Sequence, residues 1–433
     1  MKIIFVFILL FSYNSNVASA AEGNYLVRCN EKLVKVIIED IFTPPVASRV
    51  HIYPNIAAYE IIVLKDSSIK SLQPILKEFT TIPKPSEKID FDIAAMIAFC
   101  RVAKKLVYSE HLILEFEKNE IQNLKNKNID TILLNKSIEY GYRVALHIID
   151  YLLKDNYDYT RTLIRYELIN HPSAWKPTPP EYMNALEPNW WYMRSFIFDS
   201  STIVRAIPNI EYSENKNSTY FKNALVLYNT SKKLTKYQLA TAQYWDDNPN
   251  TAISNGHMTY FIHKATPSGH WLRIAGQNIL ELKYHVTKTA EIYTLLTLGI
   301  YEGIISCWKE KYQSNAVRPE NYINKMFDPK WKPNIETPPF PEYTSGHSVI
   351  SGVSSTILSR LISENKSFID SSEMEYGIPP RMFKNFKAAA QDASISRYYG
   401  GIHYMPSLDN GLLQGAEIAN ILIQKIKGHD KKK

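Results

Sequence analysis

The chain has 433 residues, enough to bury a large core and to form one to three domains. Its composition is globular, 45% hydrophobic and 12% aromatic with only 15 Gly, and it holds no internal repeat or low-complexity segment. A formal charge of +7 is mild for this length and sits partly in a Lys-rich tail; no interleaved basic and aromatic stripe is present, which argues against a nucleic-acid partner and gives weak support to an anionic ligand.

In chain order, Met1-Lys2 precedes an apolar run from Ile3 to Phe11, and Ala18-Ser19-Ala20 fits a small-x-small cleavage rule. These features predict a secretory signal peptide over 1–20, removed after Ala20, and hence a secreted or periplasmic protein with no transmembrane segment in the mature chain. Cys29, Cys100 and Cys307 are an odd number without CxxC spacing, so they give neither a metal site nor a disulfide framework, although one bridge is possible in an oxidising compartment. Ala94 to Phe116, Ile138 to Leu152 and Ala290 to Trp308 carry apolar residues at helical spacing. Three Pro-rich breaks, at 43–45, 175–180 and 331–341, read as ordered extended connectors. Glu211 to Thr219 is a candidate surface loop or lobe boundary, and no alternating run predicts a sheet. The predicted fold is all-α, with two packed helical lobes: an N-terminal lobe over 21–210 and a C-terminal catalytic bundle over 220–428 whose core motifs span 311–409.

Three blocks in the second lobe carry chemistry: Lys311 followed by Arg318-Pro319, then Thr344-Ser345-Gly346-His347, then Ser396-Arg397 with His403 six residues on from Arg397. A multiply charged anion is costly to desolvate, so its site must supply fixed positive charge and convergent donors. Arg318 and Arg397 offer planar forks, Lys311 a point charge, Ser345 a hydroxyl and Gly346 a backbone N–H. The small apolar run after Ser348 predicts a helix whose N-terminal amides face the anion. His347 at that entry suits a general acid–base; His403, after Gly400-Gly401, suits an axial ligand or a nucleophile. One such block alone is weak, since Ser268-Gly269-His270 repeats the tripeptide with neither flanking arm. His270 is therefore read as a decoy in a turn whose replacement leaves activity intact. Asp246-Asp247 reads as a surface turn or as a partner for an Arg rather than a metal site, and His51, His111, His147 and His285 read as structural.

Taken together, the nine identities in these blocks fall in fixed order and spacing, and the pattern resembles the superfamily of vanadium-dependent haloperoxidases and type 2 phosphatidic acid phosphatases. The stretch Pro338 to His347 and segments such as Ala174 to Pro180 are similar to its long, secreted haloperoxidase-like branch. The resemblance implies that Lys311, Arg318, Ser345, Gly346 and Arg397 hold vanadate or phosphate, and that His403 is the vanadium ligand or the phosphorylated nucleophile. It also makes His347 the acid–base and puts Phe340 and Trp308 beside a halide site. Thr344 stands where Pro is usual. Ser407 stands where a carboxylate is expected four residues after His403, so Asp409 substitutes from the next turn or the backbone positions the imidazole. The expected activity is a vanadate-dependent oxidation of halide by hydrogen peroxide. An acid phosphatase acting on phosphomonoesters through a phosphohistidine at His403 is the alternative, and a non-catalytic oxyanion-binding protein a third.

Overall fold

The computed structural model describes residues 24–127, 129–199, 203–249, 251–255, 258–261 and 263–430, so the predicted signal peptide lies outside the described residues. The first lobe runs through α1 (Tyr25–Glu39), α2 (Pro44–Lys65), α3 (Phe91–Leu106), α4 (Glu110–Asn126), α5 (Thr131–Leu152) and α6 (Tyr157–Thr162). A long connection leads to α7 (Thr219–Ser231), α8 (Lys236–Tyr244), α9 (Pro267–Glu281), α10 (Val286–Ser314) and α11 (Pro319–Met326). The chain closes with α12 (Gly346–Leu361), α13 (Phe386–Tyr399) and α14 (Met405–Asp430). The all-α prediction holds. Two short antiparallel hairpins add to it, β1 (Ala252–Asn255) with β2 (Met258–Phe261) and β3 (Phe368–Asp370) with β4 (Arg381–Phe383). Strands of three or four residues are too short to show alternation in the sequence.

Two boundaries differ from the sequence reading. Pro44 and Pro45 are not a connector: they occupy the first turn of α2 behind an extended Thr43, where a fixed φ favours the helix and a missing N–H costs nothing. The single helix expected over 94–116 is two. The Asp40 carboxylate reaches across to accept from the backbone N–H groups of Tyr108 (2.8 Å) and Ser109 (3.1 Å), stopping α3 and starting α4. Neighbouring residues give no sign of a cap that comes from 68 positions upstream.

α10 is buried along most of its 29 residues and is the axle of the fold. It packs on α2 on one side and on α12 and α14 on another, so one core cluster runs from Leu26 to Leu422 through both lobes. The closest helix pair is α12 with α14. A Cβ on Gly415 would stand 2.1 Å from the Val349 carbonyl oxygen, and one on Gly352 would stand 2.4 Å from that of Leu412, so the two backbones touch. The Glu211–Thr219 segment is anchored at its ends: the Tyr322 hydroxyl donates to the Ser213 carbonyl at 2.7 Å, and Ser218 caps α7. All three cysteines are buried and free. Among the described residues no helix is long and apolar enough to cross a membrane.

Candidate active site

The second and third blocks line one cavity, and the first meets them where Arg318 reaches His403. Its wall includes Gly346, His347, Arg397 and His403, the paired rings of Trp308 and Phe340, and Pro44 and Leu186 from the first lobe. Trp308 and Phe340 pack with centroids 5.2 Å apart. Residues from both halves of the chain therefore line the pocket.

Local structure aims each group. α10 ends at Asn315 in a left-handed conformation, its N–H returning to the Lys311 carbonyl at 2.9 Å. This turn places Lys311 in the last turn of α10 and Arg318 just before Pro319, which starts α11. Ser345 is the N-cap of α12, its Oγ accepting from the Ser348 N–H at 3.3 Å, so the free amides of that helix open beside Gly346 and His347. Arg397 lies in the last turn of α13, and the following glycines turn the chain so that His403 faces back toward Arg318.

Donors outnumber acceptors here. Arg318 is fully buried, with Nε donating to the Phe340 carbonyl (2.8 Å) and Nη1 to that of Ile402 (3.0 Å), while Nη2 has no partner. Arg397 donates through Nη1 to the Trp245 carbonyl (2.7 Å), leaving Nε and Nη2 without a hydrogen bond. Lys311 is more enclosed than the sequence implied. Its ammonium donates to the carbonyls of Pro341 (3.0 Å), Glu342 (3.2 Å) and Thr344, behind the wall rather than in it. Burial depresses all three cations: the Lys311 ammonium falls to about 7, helped by Arg318, and both guanidiniums are lowered although still charged at neutral pH. Buried charge and unspent donors around a cavity are what a small, acceptor-rich anion would satisfy.

His403 is held by Glu342 and Arg318, with the Ser407 hydroxyl a longer 3.4 Å from its Nδ1. Its Nδ1 lies 2.9 Å from Glu342 Oε1 and its Nε2 3.1 Å from Arg318 Nη1. Since Arg318 can only donate, the network assigns the proton to Nδ1 and a lone pair to Nε2. Burial, then Arg318 and Lys311, hold this imidazole well below its ordinary range, so it is neutral. The carboxylate on His403 is Glu342, which also accepts from the Tyr404 N–H at 3.1 Å. Asp409, expected in that role, is on the exposed face of α14, because it follows buried Ser407 by two residues and so points to the opposite side of the helix. His347 is kept neutral by burial, Arg397 and His270, and its Nε2 has no hydrogen-bond partner.

Compared with solved structures, the chain is 38% identical to a bacterial vanadium-dependent iodoperoxidase over 93% of its own length and 95% of that chain, with a TM-score of 0.86. It belongs to the vanadium haloperoxidase superfamily. Holo and apo forms of a bacterial vanadium-dependent chloroperoxidase share the haloperoxidase fold at 16% and 17% identity. Their TM-scores are 0.67 and 0.64, and each match covers 90% of this chain, and 94% and 95% of the respective chloroperoxidase chains. A family model described as the VCPO second helical-bundle domain matches residues 324–431, a span that holds Ser345 to His403 but not Lys311 or Arg318. No curated protein matches.

Two residues next to this pocket stand differently from the sequence reading. His270 is not in a turn: Thr266 caps α9, and His270 lies in its first turn, fully buried, with Nδ1 2.9 Å from Asp247 and Nε2 2.9 Å from Asp370. Asp247 is likewise buried, its Oδ2 3.7 Å from His347 Nε2, so one carboxylate links His270 to His347. Asp246 stands near an Arg as expected, 3.9 Å from Arg397 Nη2.

The enclosed Lys311 has a measurable consequence. In the free pocket its ammonium loses its proton above about pH 7, and a bound anion restores it, so anion binding takes up a proton. Sulfate, whose charge is constant across pH 6–9, is expected to bind up to about tenfold more weakly per pH unit above 7. Calorimetry in buffers of different ionisation heat reads the proton uptake directly, and Lys311→Met should flatten the slope.

Proposed function

We propose that this chain is a vanadate-dependent haloperoxidase that oxidises halide, iodide foremost, with hydrogen peroxide. The observation that carries this reading is the near full-length likeness to an iodoperoxidase at 38% identity. The orphaned donors on Arg318 and Arg397 support vanadate as the resident anion, since a tetrahedral oxyanion offers each fork an acceptor.

In this reading Arg318, Arg397, Ser345 and the Gly346 amide hold the anion's oxygens, and Lys311 adds charge from behind. His403 offers its Nε2 lone pair, and Glu342 keeps the proton on Nδ1 so that the lone pair stays available. Bound vanadate would supply a Lewis-acidic centre that activates peroxide to accept two electrons from halide. His347 takes and returns a proton at Nε2; a nearby anion raises its affinity for that proton above the depressed value of the free pocket. Trp308 and Phe340 make an apolar, polarisable wall that excludes water and suits a large soft anion such as iodide.

A neutral His403 whose Nε2 lone pair is engaged only by Arg318, a contact an incoming oxyanion can take over, also suits attack on phosphorus, which keeps an acid phosphatase as the second reading. The mature protein is tested for peroxide-dependent oxidation of iodide and bromide after vanadate loading, and for phosphomonoester hydrolysis without it. Halide oxidation is expected. Hydrolysis without halide oxidation overturns the proposal in favour of the phosphatase, and anion binding with neither turnover favours a non-catalytic binder. Export after cleavage at Ala20 is a separate proposal, which the N-terminal sequence of the native protein decides.

A further inference from the structure

The two Ser-Gly-His tripeptides open two different helices, α9 and α12, and their histidines converge on one carboxylate. Asp247 Oδ1 takes His270 Nδ1 at 2.9 Å, while Oδ2, with no hydrogen-bond partner, stands 3.7 Å from His347 Nε2. His270 is fixed on every side. Asp370 Oδ2 lies 2.9 Å from its Nε2, and Asp370 Oδ1 is held by the Ser372 N–H (3.0 Å) and hydroxyl (2.6 Å). The Trp245 indole stacks on the ring at 4.4 Å between centroids, and the Trp245 carbonyl receives Arg397. Two carboxylates facing the two ring nitrogens require both to carry protons, so His270 is an imidazolium. Burial opposes that charge, but Asp247 and Asp370 override it and hold His270 well above its ordinary range.

We infer that His270 is a positioning residue: clamped by Asp370, it fixes the Asp247 carboxylate against His347 and so sets the orientation of that imidazole over the anion pocket. The second copy of the tripeptide is thus a buttress for the first. Without the His270 charge, Asp247 would be a buried carboxylate free to turn fully onto His347 or toward Arg397. The charged and titratable groups facing His347 are Arg397 from α13, His270 from α9, Lys311 from α10, His403 before α14 and Asp247 after α8. A different use of the cluster is also defined by the geometry: Asp247, His270 and Glu373 place one ligand atom each within 4.8 Å of one another. A metal there would have to displace the Nδ1 proton that the Asp247 contact requires.

The proposal rests on the haloperoxidase reading only for its kinetic arm. Nitrogen-15 NMR of the histidine side chains, on the full mature chain free of vanadate, tests it independently. In the wild type both His270 nitrogens should be protonated across pH 6–8 while His347 is neutral. In His270→Gln, which removes a positive charge beside His347, the His347 midpoint should rise by about one unit, and in Asp247→Asn it should fall. Sulfate affinity in His270→Gln should stay within about threefold, while kcat for iodide oxidation drops about tenfold and KM for peroxide holds within about twofold. Unchanged His347 signals and midpoint in both variants overturn the inference, as does a stoichiometric divalent cation that the purified protein retains and His270→Gln releases. If His270→Gln does not fold, Asp247→Asn decides through the same signals. A wild-type chain without halide oxidation would sink the functional reading while leaving the NMR arm to judge His270.

Discussion

Replacing His403 by alanine will reduce iodide oxidation by roughly a thousandfold or more, because the variant loses the only imidazole lone pair held between Glu342 and Arg318. The same variant should be equally dead as a phosphomonoesterase if the chain proves to be one, so the result tests the pocket independently of its chemistry. A steady-state assay of vanadate-loaded protein reads the loss. Melting curves read the structural cost, expected at about 1–3 kcal/mol because Glu342 and Arg318 each lose one of several partners. Retention of a tenth of wild-type activity would remove His403 from the site.

Removing Glu342 has the second largest expected effect, and it separates the carboxylate that touches His403 from Asp409, the one the sequence pointed to. Glu342 is buried beside Lys311, Arg318 and His403. Burial pushes its carboxyl up, and Arg318 and the Tyr404 N–H pull it back. Glu342→Ala frees the imidazole to rotate and leaves two buried cations without a counter-charge. We expect vanadate affinity to fall about 10–100-fold and stability to drop by about 3 kcal/mol. Glu342→Gln keeps an acceptor for Nδ1 and should fall between. Asp409→Ala, on an exposed face, should stay within about twofold of wild type. Vanadate titration of the three variants checks this ordering, and a loss in Asp409→Ala as deep as in Glu342→Ala would contradict the geometry.

The residues that converge at the cavity were legible in the sequence because each block is local. Arg318-Pro319 starts a helix, Ser345-Gly346-His347 caps another, and Arg397 with His403 straddles a glycine turn, so each block shows its own spacing. The supporting residues were not legible, for a physical reason. Glu342 acts on a histidine 61 positions away and Asp247 on one 23 positions away, and such pairings exist only after the helices pack. One signal for Glu342 was present: a lone charge directly after Pro338-Pro339-Phe340-Pro341, if that apolar run is buried, has to find a buried partner. The break between α3 and α4 was hidden in the same way, since Asp40 supplies it from another helix. The hairpins near α9 were too short to leave a period. His270 misled for the opposite reason. Its local motif is a true helix start, but the lack of flanking cations was taken as lack of a role.

The glycine contacts between α12 and α14 bear on the width of the cradle. α12 carries the amides on one side, and α14 begins two residues after His403 on the other. Where two backbones rest on each other with no side chain between them, the gap is gauged by main-chain atoms, like a calliper with its jaws closed at the hinge. Substitutions that soften the apolar core elsewhere can lower the melting point without widening the gap. A methyl group at Gly352 or Gly415 would do the reverse, prising the jaws apart in a protein whose core is otherwise intact.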